Sequence, residues 1–471
     1  MAKTISADIC IIGAGSGGLS VAAGAAQLGR KVVLIEKGDM GGDCLNTGCV
    51  PSKALIAAAS RAHAIRHADK FGIKSTEPGI DFGAVMDHVH SVIDTIAPVD
   101  SQERFEGLGV TVIREHATFI GPREVVANGQ KIKAKHFVIA TGSTPFVPPI
   151  DGLASVPFFT NETIFENRTR PDHLVVIGGG PIGVEMAQAH RRLGAKVTII
   201  EGDRLLNKDD PELAAIVAQQ LRDDGIDIIE GAKANKIIKA DNGVAVNIDD
   251  RTIVGSHLLV AVGRKPTVDG LNLEAAEVQY DHRGIKVDDR LRTSNKRIYA
   301  IGDVAGGRQF THVAGYHASV LVRNILFKMP AKNNEHLAPH VTYADPELAQ
   351  VGLAEKAARE QHGDAIKVVR WPFLENDRAI AERDTRGMVK VVTDKKGLIL
   401  GAGIVGKGAG DLLQPWTYAI TSGEKIKSFT DMIAPYPTRG EANKRAAGDW
   451  YTKTLFSSRT RKLISLLAVF D

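Results

Sequence analysis

Two cysteines lie five residues apart in a short glycine-rich segment, Gly41-Gly42-Asp43-Cys44-Leu45-Asn46-Thr47-Gly48-Cys49. The next residues, Val50-Pro51-Ser52-Lys53, indicate a helix that begins near Pro51. A thiol near a helix N-terminus has a lowered pKa, and the thiolate is the reactive form of cysteine. The spacing lets both sulfurs meet in one small loop. Cys44 and Cys49 are therefore predicted to form a dithiol/disulfide redox pair.

Metal ligation is the competing interpretation of these two thiols, and unpaired structural thiols are another. A structural zinc site needs two further cysteine or histidine ligands at suitable spacing. The nearest histidines, His63 and His67, lie on a predicted helix without partner cysteines, so no metal site is predicted. The third cysteine, Cys10, lies in an apolar strand and is expected to pack as a small apolar residue.

One pattern occurs twice along the chain: a strand, a glycine-rich turn, a helix, and a second strand that ends in an acid. The first glycine segment is Gly13-Ala14-Gly15-Ser16-Gly17-Gly18, and the strand after its helix ends at Glu36. Gly13 permits the tight turn, Gly15 lets the backbone approach a pyrophosphate, and Gly18 lets the helix pack on the strand. Glu36 would bond ribose hydroxyls. This context predicts a dinucleotide site rather than a simple strand–helix turn.

The second copy has the same spacing from its first glycine to its acid. It reads Gly178-Gly179-Gly180-Pro181-Ile182-Gly183, and Gly178, Gly180 and Gly183 would have the same three roles. The acid is Glu201, which favours NAD(H) because a carboxylate would repel a 2′-phosphate. Arg204 lies close in sequence, so NADP(H) is the alternative. Two such units predict two bound dinucleotides.

Length and composition restrict the remaining function classes. A chain of 471 residues is too long for one compact core. Its net charge of +4 is small for this length and predicts no nucleic-acid binding. No apolar run reaches the length of a transmembrane helix. Three cysteines are too few for a disulfide framework, and no cleavable signal is predicted, so a cytoplasmic location is expected.

The cysteine segment and both dinucleotide motifs together resemble the flavoprotein disulfide reductases, which include dihydrolipoamide dehydrogenase, glutathione reductase and mercuric reductase. Three further segments are similar to family motifs: Ala140-Thr141-Gly142, Gly263-Arg264-Lys265-Pro266 and Ile298-Tyr299-Ala300-Ile301-Gly302-Asp303. The resemblance extends to about Ala447. It implies that the first dinucleotide site holds FAD, that the second holds NAD(P)H, and that the enzyme is a homodimer.

The resemblance also implies roles for individual residues. Cys49 would be the flavin-proximal thiol and Cys44 the interchange thiol that meets the substrate. Lys53 would pair with Glu185 beside flavin N5, and Asp303 would bond the ribityl chain. Residues Thr141, Gly142, Gly263 and Gly302 would complete the cofactor contacts.

The same comparison divides an α/β chain into two Rossmann-like dinucleotide-binding domains and a C-terminal α+β dimerisation domain. The expected boundaries are 1–149 for the FAD-binding domain, 150–270 for the NAD(P)H-binding domain, 271–338 for a central domain completing the FAD site, 339–447 for the dimerisation domain and 448–471 for a C-terminal extension.

One residue departs from the disulfide-reducing relatives. These carry a His-Pro-Thr segment with a glutamate five positions after the histidine, whereas this chain has Tyr436-Pro437-Thr438 followed by Glu441. Tyrosine titrates near 10 and histidine near 6.5, so Tyr436 would be a poor base at neutral pH but a usable proton donor. We therefore expect reduction of a small disulfide by NAD(P)H to be favoured over dithiol oxidation.

Other acceptors are the alternatives. A tyrosine at position 436 resembles mercuric reductase, but the paired C-terminal cysteines of that enzyme are absent from this sequence. A metal-ion reductase, a quinone reductase (diaphorase) and a non-enzymatic redox sensor are the rival functions. The extension 448–471 combines basic residues with an apolar stretch that suits a membrane surface or a protein partner. Packing onto the protein's own surface is the expectation for it.

Overall fold

The computed structural model describes residues 4–249 and 251–470, and the chain divides into two compact units. Unit 1 comprises residues 1–67, 75–202 and 232–335, and unit 2 comprises residues 68–74, 203–231 and 336–471. Among the described residues, no helix is both long enough and apolar enough to span a bilayer.

Unit 1 contains, among its described residues, a seven-stranded mixed sheet. Thr4–Ile12 is a central strand and runs parallel to Val32–Glu36 on one side and to Gln130–Ile139 on the other. The remaining strands of this sheet are Thr111–Arg114, Thr118–Gly121, Glu124–Ala127 and Ile298–Ala300. The three central strands end at the same edge, where the first glycine segment begins.

Side chains of the central strands alternate between two apolar cores, one on each face of the sheet. Cys10 and Ile12 belong to one core, whereas Ile9 and Ile11 belong to the other. Burial on both faces explains why these strands read as continuous apolar runs. The prediction that Cys10 packs as a buried apolar residue is confirmed.

A second parallel sheet in unit 1 repeats this arrangement. His173–Ile177 lies between Lys196–Glu201 and His257–Val260. The shorter strands of unit 1 are Ser143–Pro145, Ala234–Ala240, Gly243–Ile248, Arg251–Gly255, Arg264–Pro266, Tyr280–Asp281 and Gly284–Ile285. Its α-helices are Ser16–Gln27, Gly42–Asn46, Cys49–Arg66, Phe82–Asp100, Gln102–Gly107, Pro181–Arg192 and Thr311–Ile325.

Unit 2 is built on an antiparallel sheet, five-stranded in the described part of the chain. In spatial order its strands are His340–Thr342, Glu347–Gly352, Ile399–Gly406, Met388–Asp394 and Ile366–Pro372. A further strand is Asp227–Glu230, and the α-helices are Pro211–Asp223, Glu355–His362, Asp377–Ala381, Ala409–Leu412, Gln414–Ser422, Lys427–Asp431, Glu441–Leu455 and Ser458–Leu467. Trp416 and Phe373 lie in its apolar core.

The predicted α/β class, with two parallel glycine-loop sheets and an α+β C-terminal part, is confirmed. Two details differ from the sequence prediction. The helix expected near Pro51 begins at Cys49 itself, which places that thiol in the first turn. The expectation that the extension packs on the protein's own surface holds for its first part, where Trp450 and Tyr451 pack against the core of unit 2. It is wrong for Ser458–Leu467, because no residue of that helix is buried by the described chain.

Candidate active site

The two cysteines lie on consecutive helices of unit 1. Cys44 belongs to the short helix Gly42–Asn46, and Cys49 is the first residue of Cys49–Arg66. The Asn46 amide closes the loop by donating to the carbonyl oxygens of Met40, at 3.0 Å, and Gly42, at 2.9 Å. The structure shows both residues as free thiols.

The two thiols have different pKa values. The Cys44 thiol donates to the Cys49 sulfur, and this hydrogen bond is the main cause that lowers the pKa of Cys49 to about 6. The hydroxyl of Thr311, 3.3 Å from Cys49 Sγ, and the charge of Lys53 lower that pKa further, against the effect of burial. The same thiol–thiolate bond and burial raise the pKa of Cys44. At neutral pH the pair therefore holds one thiolate, at Cys49, and one thiol, at Cys44.

Lys53 lies one helical turn after Cys49, and a salt bridge holds its side chain. Its Nζ is 2.9 Å from Glu185 Oε2, and the Glu185 side chain is buried. Glu185 belongs to Pro181–Arg192, the helix that follows the second glycine segment. The ion pair therefore holds the ammonium group of Lys53 close to the Cys49 thiolate.

A network of polar side chains holds the residue before Cys44. Asp43 Oδ1 accepts from the Thr47 hydroxyl at 2.9 Å and from the Asn161 amide at 3.1 Å. Arg264 lies 3.4 Å from the same oxygen and donates to Asn161 Oδ1 at 3.3 Å. Asn161 is buried and Arg264 nearly so. The cysteine loop is thus tied to the strand Arg264–Pro266.

Arg264 also connects this loop to Asp303. Its Nε donates to Ser143 Oγ at 2.7 Å, and Ser143 Oγ donates to Asp303 Oδ2 at 2.5 Å. Burial raises the pKa of the Asp303 carboxyl, against the effect of the Ser143 hydrogen bond. Nearby, Thr141 Oγ1 donates to the carbonyl oxygen of Thr267 at 2.6 Å. Five segments distant in sequence, around residues 43–47, 141–143, 161, 264–267 and 303, are therefore joined in one polar cluster.

The two glycine segments have the same geometry. Gly13 and Gly178 have positive φ angles, +106° and +113°, and a Cβ on either would collide with the carbonyl oxygen of the neighbouring strand end, that of Ala140 or Ala261. Gly15 and Gly180 differ, because a Cβ there would meet no atom of this chain closer than 4.0 Å. Their φ angles, −81° and −76°, are also accessible to any residue.

The missing side chains at Gly15 and Gly180 thus leave open space at the N-termini of two helices. Neither helix has a side-chain cap hydrogen bond, so N–H groups of the first turns face that space. Open space beside uncapped N–H groups suits the pyrophosphate of a dinucleotide. The residues at both loops therefore fit the groups predicted from the sequence.

The acids at the ends of the second strands fold back onto these loops. Glu36 Oε2 accepts from Ala14 N, and Glu201 Oε2 accepts from Gly179 N, both at 2.6 Å. Gly142 and Gly263 have positive φ angles, and a Cβ on either would meet nothing within 4 Å. Gly302 also has a positive φ and precedes Asp303 in a short 3₁₀ turn.

Residues 7–318 match the family described as pyridine nucleotide-disulphide oxidoreductase, and residues 338–447 match the dimerisation domain of that family. The chain belongs to this family. It is thus an FAD-dependent pyridine nucleotide-disulfide oxidoreductase, an enzyme whose cofactors are FAD and NAD(P)H.

Relatives of this oxidoreductase have two different names. The chain is 37% identical over 453 residues to mercuric reductase from Streptomyces lividans, covering 93% of this chain and 95% of the relative. It is 36% identical over 454 residues to dihydrolipoyl dehydrogenase from Geobacillus stearothermophilus, covering 94% and 96%. Among solved structures, the Cu(II) complex of the HOCl-induced flavoprotein disulfide reductase RclA from Escherichia coli matches with a TM-score of 0.84 and 29% identity, covering 93% and 98%. The oxidoreductase therefore belongs to the mercuric reductase and lipoamide dehydrogenase branch.

Unit 2 of the oxidoreductase carries Tyr436 and Glu441, the two residues singled out near the end of the matched dimerisation domain. Tyr436 is 66% exposed, and its hydroxyl donates to Asp377 Oδ2 at 2.8 Å. That hydrogen bond raises the pKa of Tyr436 above its ordinary value of 10.0. Glu441 lies in the first turn of its helix and accepts from Arg445 Nε at 2.8 Å. Tyr436 therefore keeps its proton at neutral pH.

Sequence reasoning missed three polar residues of the cluster in unit 1: Asp43, Asn161 and Thr311. Thr311 is 262 positions from Cys49, and it follows no glycine or cysteine motif. Ser16 was named only as part of the first glycine segment, yet its hydroxyl also bonds Cys44. Asp43 was likewise named only as part of the cysteine segment, and Asn161 lies in the polar run Thr160-Asn161-Glu162-Thr163, which does not identify its partners.

Proposed function

We propose that this enzyme uses NAD(P)H to reduce a small disulfide through Cys44 and Cys49. The observation that carries the proposal is the unequal pair of thiols, with a Cys49 thiolate that accepts a hydrogen bond from the Cys44 thiol. In this arrangement Cys44 is the interchange thiol, and Cys49 is held as a thiolate by Thr311 and Lys53.

The thiol steps conserve atoms, protons and electrons. Cys44 attacks one sulfur of the substrate disulfide, a mixed disulfide forms, and the proton lost by Cys44 ends on the first leaving thiol. The Cys49 thiolate then attacks the Cys44 sulfur, so that the second thiolate leaves and the Cys44–Cys49 disulfide forms. Two electrons have then moved from the cysteine pair to the substrate, and a solvent proton completes the second thiol.

Bound FAD would carry the two electrons from NAD(P)H to this disulfide. Gly13, Gly15 and Gly18 with Glu36 would hold its ADP half, and Asp303 its ribityl chain. Thr141, Gly142, Gly263 and Gly302 would complete the cofactor contacts. Lys53, held by Glu185, would direct its charge toward the reacting end of the cofactor.

Glu201 supports NADH as the preferred nucleotide, with Gly178, Gly180 and Gly183 forming the phosphate loop. A 2′-phosphate beside this carboxylate would meet like charge. The guanidinium of Arg204 donates to the carbonyl oxygens of Asn207 and Asp209 within its own loop. Comparison of kcat/KM for NADH and NADPH tests the preference, and Glu201→Ala should reduce it.

The direction of the reaction follows from Tyr436. A base is needed to oxidise a dithiol, and Tyr436 holds its proton because Asp377 accepts its hydrogen bond. A donor is sufficient to protonate a leaving thiolate, and a tyrosine hydroxyl can donate. Disulfide reduction is therefore favoured over dithiol oxidation.

We also propose a homodimer formed through unit 2. Within residues 338–447, seven large apolar side chains of the described chain are exposed: Tyr343, Leu374, Ile380, Tyr418, Met432, Ile433 and Tyr436. Ile433 is 93% exposed, which is unfavourable for a monomer in water. Residues 448–471 would add a contact with a membrane surface or a protein. The small number of cysteines suits a reducing, cytoplasmic setting.

Reduction of a thiophilic metal ion is the second candidate. Two adjacent thiols can ligate a soft ion, and the relatives include an enzyme named mercuric reductase and a structure titled as a Cu(II) complex. Among the described residues, no group of three or more metal-ligating side chains is arranged to hold an ion. An ion would therefore meet the cysteine pair without further ligands.

An anaerobic acceptor panel tests the proposal. NADH oxidation is measured with small disulfides, quinones, Hg(II) and Cu(II), for the wild type and for Cys44→Ser. We expect disulfides to give the highest kcat/KM and Cys44→Ser to abolish that turnover. Turnover with quinones alone, unaffected by Cys44→Ser, would exclude the proposed function, and a preference for metal ions would favour the second candidate.

A further inference from the structure

The C-terminal segment, residues 455–470, is the most exposed apolar part of the described chain. It contains eight large apolar side chains that are each at least 48% exposed: Leu455, Phe456, Leu463, Ile464, Leu466, Leu467, Val469 and Phe470. No residue of the helix Ser458–Leu467 is buried. Nothing in the described part of this chain therefore covers these side chains.

Three of the four large apolar residues of this helix share one face. Leu463, Ile464 and Leu467 follow the spacing of that face, and Arg461 and Lys462 lie away from its centre. Leu466 lies on the other side, between Lys462 and Arg459. The Ser457 hydroxyl caps the start by accepting from Thr460 N at 3.2 Å. A helix of ten residues is marginal in water without packing. A second surface is needed to stabilise it.

The charge of the segment indicates the nature of that surface. The segment 455–470 contains three basic side chains, Arg459, Arg461 and Lys462, and Lys453 precedes it. Residues 450–470 contain no aspartate or glutamate, and the flanking acids are Asp449 and Asp471. The whole chain is nearly balanced, with 59 lysines and arginines against 55 acids. The local excess of cations is complementary to an anionic surface, and exposed apolar residues beside it suit an interface with lipid.

A second copy of this chain is less suited to cover the helix. If the helix lay at the axis of a twofold dimer, it would meet its own copy, and the four cations would face four cations. No acid within residues 450–470 could pair with them. A lipid headgroup layer offers phosphates to the basic side chains and acyl chains to the apolar side chains.

We propose that the helix Ser458–Leu467 lies in the headgroup layer of an anionic membrane, with its apolar side chains inserted and its basic side chains at the lipid phosphates. This deepens the contact surface proposed for residues 448–471, and it does not depend on which acceptor the thiols reduce. The enzyme is then a peripheral membrane protein, and its cysteine pair stays in water.

Sedimentation of the full-length holoenzyme with vesicles tests the proposal. One set of vesicles contains phosphatidylcholine alone, and the other contains phosphatidylcholine with phosphatidylglycerol. We expect binding to the anionic set to be at least about tenfold tighter and to weaken with salt. Leu463→Ser/Leu467→Ser should abolish it, and Arg461→Gln/Lys462→Gln should weaken it about tenfold.

The matched control for charge is Lys395→Gln/Lys396→Gln, which removes two exposed lysines elsewhere in unit 2 and should bind as the wild type does. Disulfide reduction without vesicles should be the same for all variants, which separates failure of this proposal from failure of the proposed function. Absence of vesicle binding would overturn the proposal. So would binding that survives Leu463→Ser/Leu467→Ser, or a wild-type oligomer larger than the oligomer of that variant.

Discussion

At the scale of single residues, the Cys49 thiolate is the feature on which the chemistry depends. Its pKa is lowered to about 6, first by the Cys44 thiol and then by the Thr311 hydroxyl. A group whose folded-state pKa is lowered is ionised above that value, so Cys49 is a thiolate at pH 7. Hydrogen bonds to charged groups contribute about 1.5–3 kcal/mol, so loss of the hydroxyl should raise the pKa by about one unit.

Thr311→Val therefore should shift the pH dependence of Cys49 alkylation to higher pH by about one unit. The rate is measured with iodoacetamide on the reduced protein, and mass spectrometry assigns the label to Cys49 rather than Cys44. Thr311→Ser retains the hydroxyl and should titrate as the wild type does. An unchanged midpoint in Thr311→Val would mean that the Cys44 thiol and Lys53 stabilise the thiolate without Thr311.

Tyr436 is proposed to determine the direction of catalysis, at the same scale. A histidine at this position would titrate about three units below tyrosine, so it could accept a proton at neutral pH. Tyr436→His should raise kcat for dithiol oxidation by about tenfold to a hundredfold and change disulfide reduction little. Initial rates in both directions measure this ratio. Tyr436→Phe, which lacks the hydroxyl, is the control and should slow the reductive direction. If both variants match the wild type in both directions, Tyr436 is a structural residue only.

At the scale of elements, the sequence predicts well what local patterns determine. The two glycine loops, their strands and their helices were predicted because glycine spacing and apolar runs are local properties. The polar cluster was not predicted, because Thr311 and Asn161 come close to the cysteine loop only when strands and helices distant in sequence pack together. The start of the helix at Cys49 was missed by two residues, because Pro51 is compatible with either boundary.

One buried ion-pair network stabilises the sheet of unit 2. Lys390 lies on the strand Met388–Asp394, is 5% exposed, and contacts Asp210 and Glu212 at 2.8 Å and Glu355 at 3.0 Å. Lys390→Met would leave three carboxylates without this cation, so we expect a loss of about 3 kcal/mol in the free energy of unfolding. Urea denaturation measures it, and Lys395→Met on the exposed turn is the control. A loss equal to that of the control would mean that the network adds no stability.

The same network predicts sensitivity to acid. Burial would raise the pKa of Glu355, but the hydrogen bonds from Arg359 and Lys390 dominate and lower it to about 2. A lowered carboxyl pKa contributes stability above its unfolded value near 4.5, and that stability is lost as pH falls toward 2. Glu355→Gln should therefore show a smaller decrease of the urea midpoint over this pH range than the wild type. An equal decrease would assign acid sensitivity to other carboxylates.

At the scale of the whole molecule, the residues proposed for the active site are divided between the two units of the chain. The cysteine pair belongs to unit 1, whereas Tyr436 and Glu441 belong to unit 2 within the matched dimerisation domain. The proposed homodimer would combine the cysteines of one chain with Tyr436 and Glu441 of the other. Each of the two sites in a dimer would then need both chains.

Mixed dimers distinguish a shared site from a site within one chain. One chain carries Cys49→Ser and keeps the segment at Tyr436, and the other carries Tyr436→Ala/Glu441→Ala and keeps its cysteines. If sites are shared, the mixed dimer has one intact site and roughly half of the wild-type disulfide reductase activity. If each site lies within one chain, no intact site forms, and activity should not exceed that of the two parent homodimers. Full activity in the Tyr436→Ala/Glu441→Ala homodimer would instead mean that neither residue takes part in the reaction. Unit 2 would then serve to join the two chains and would supply no catalytic group.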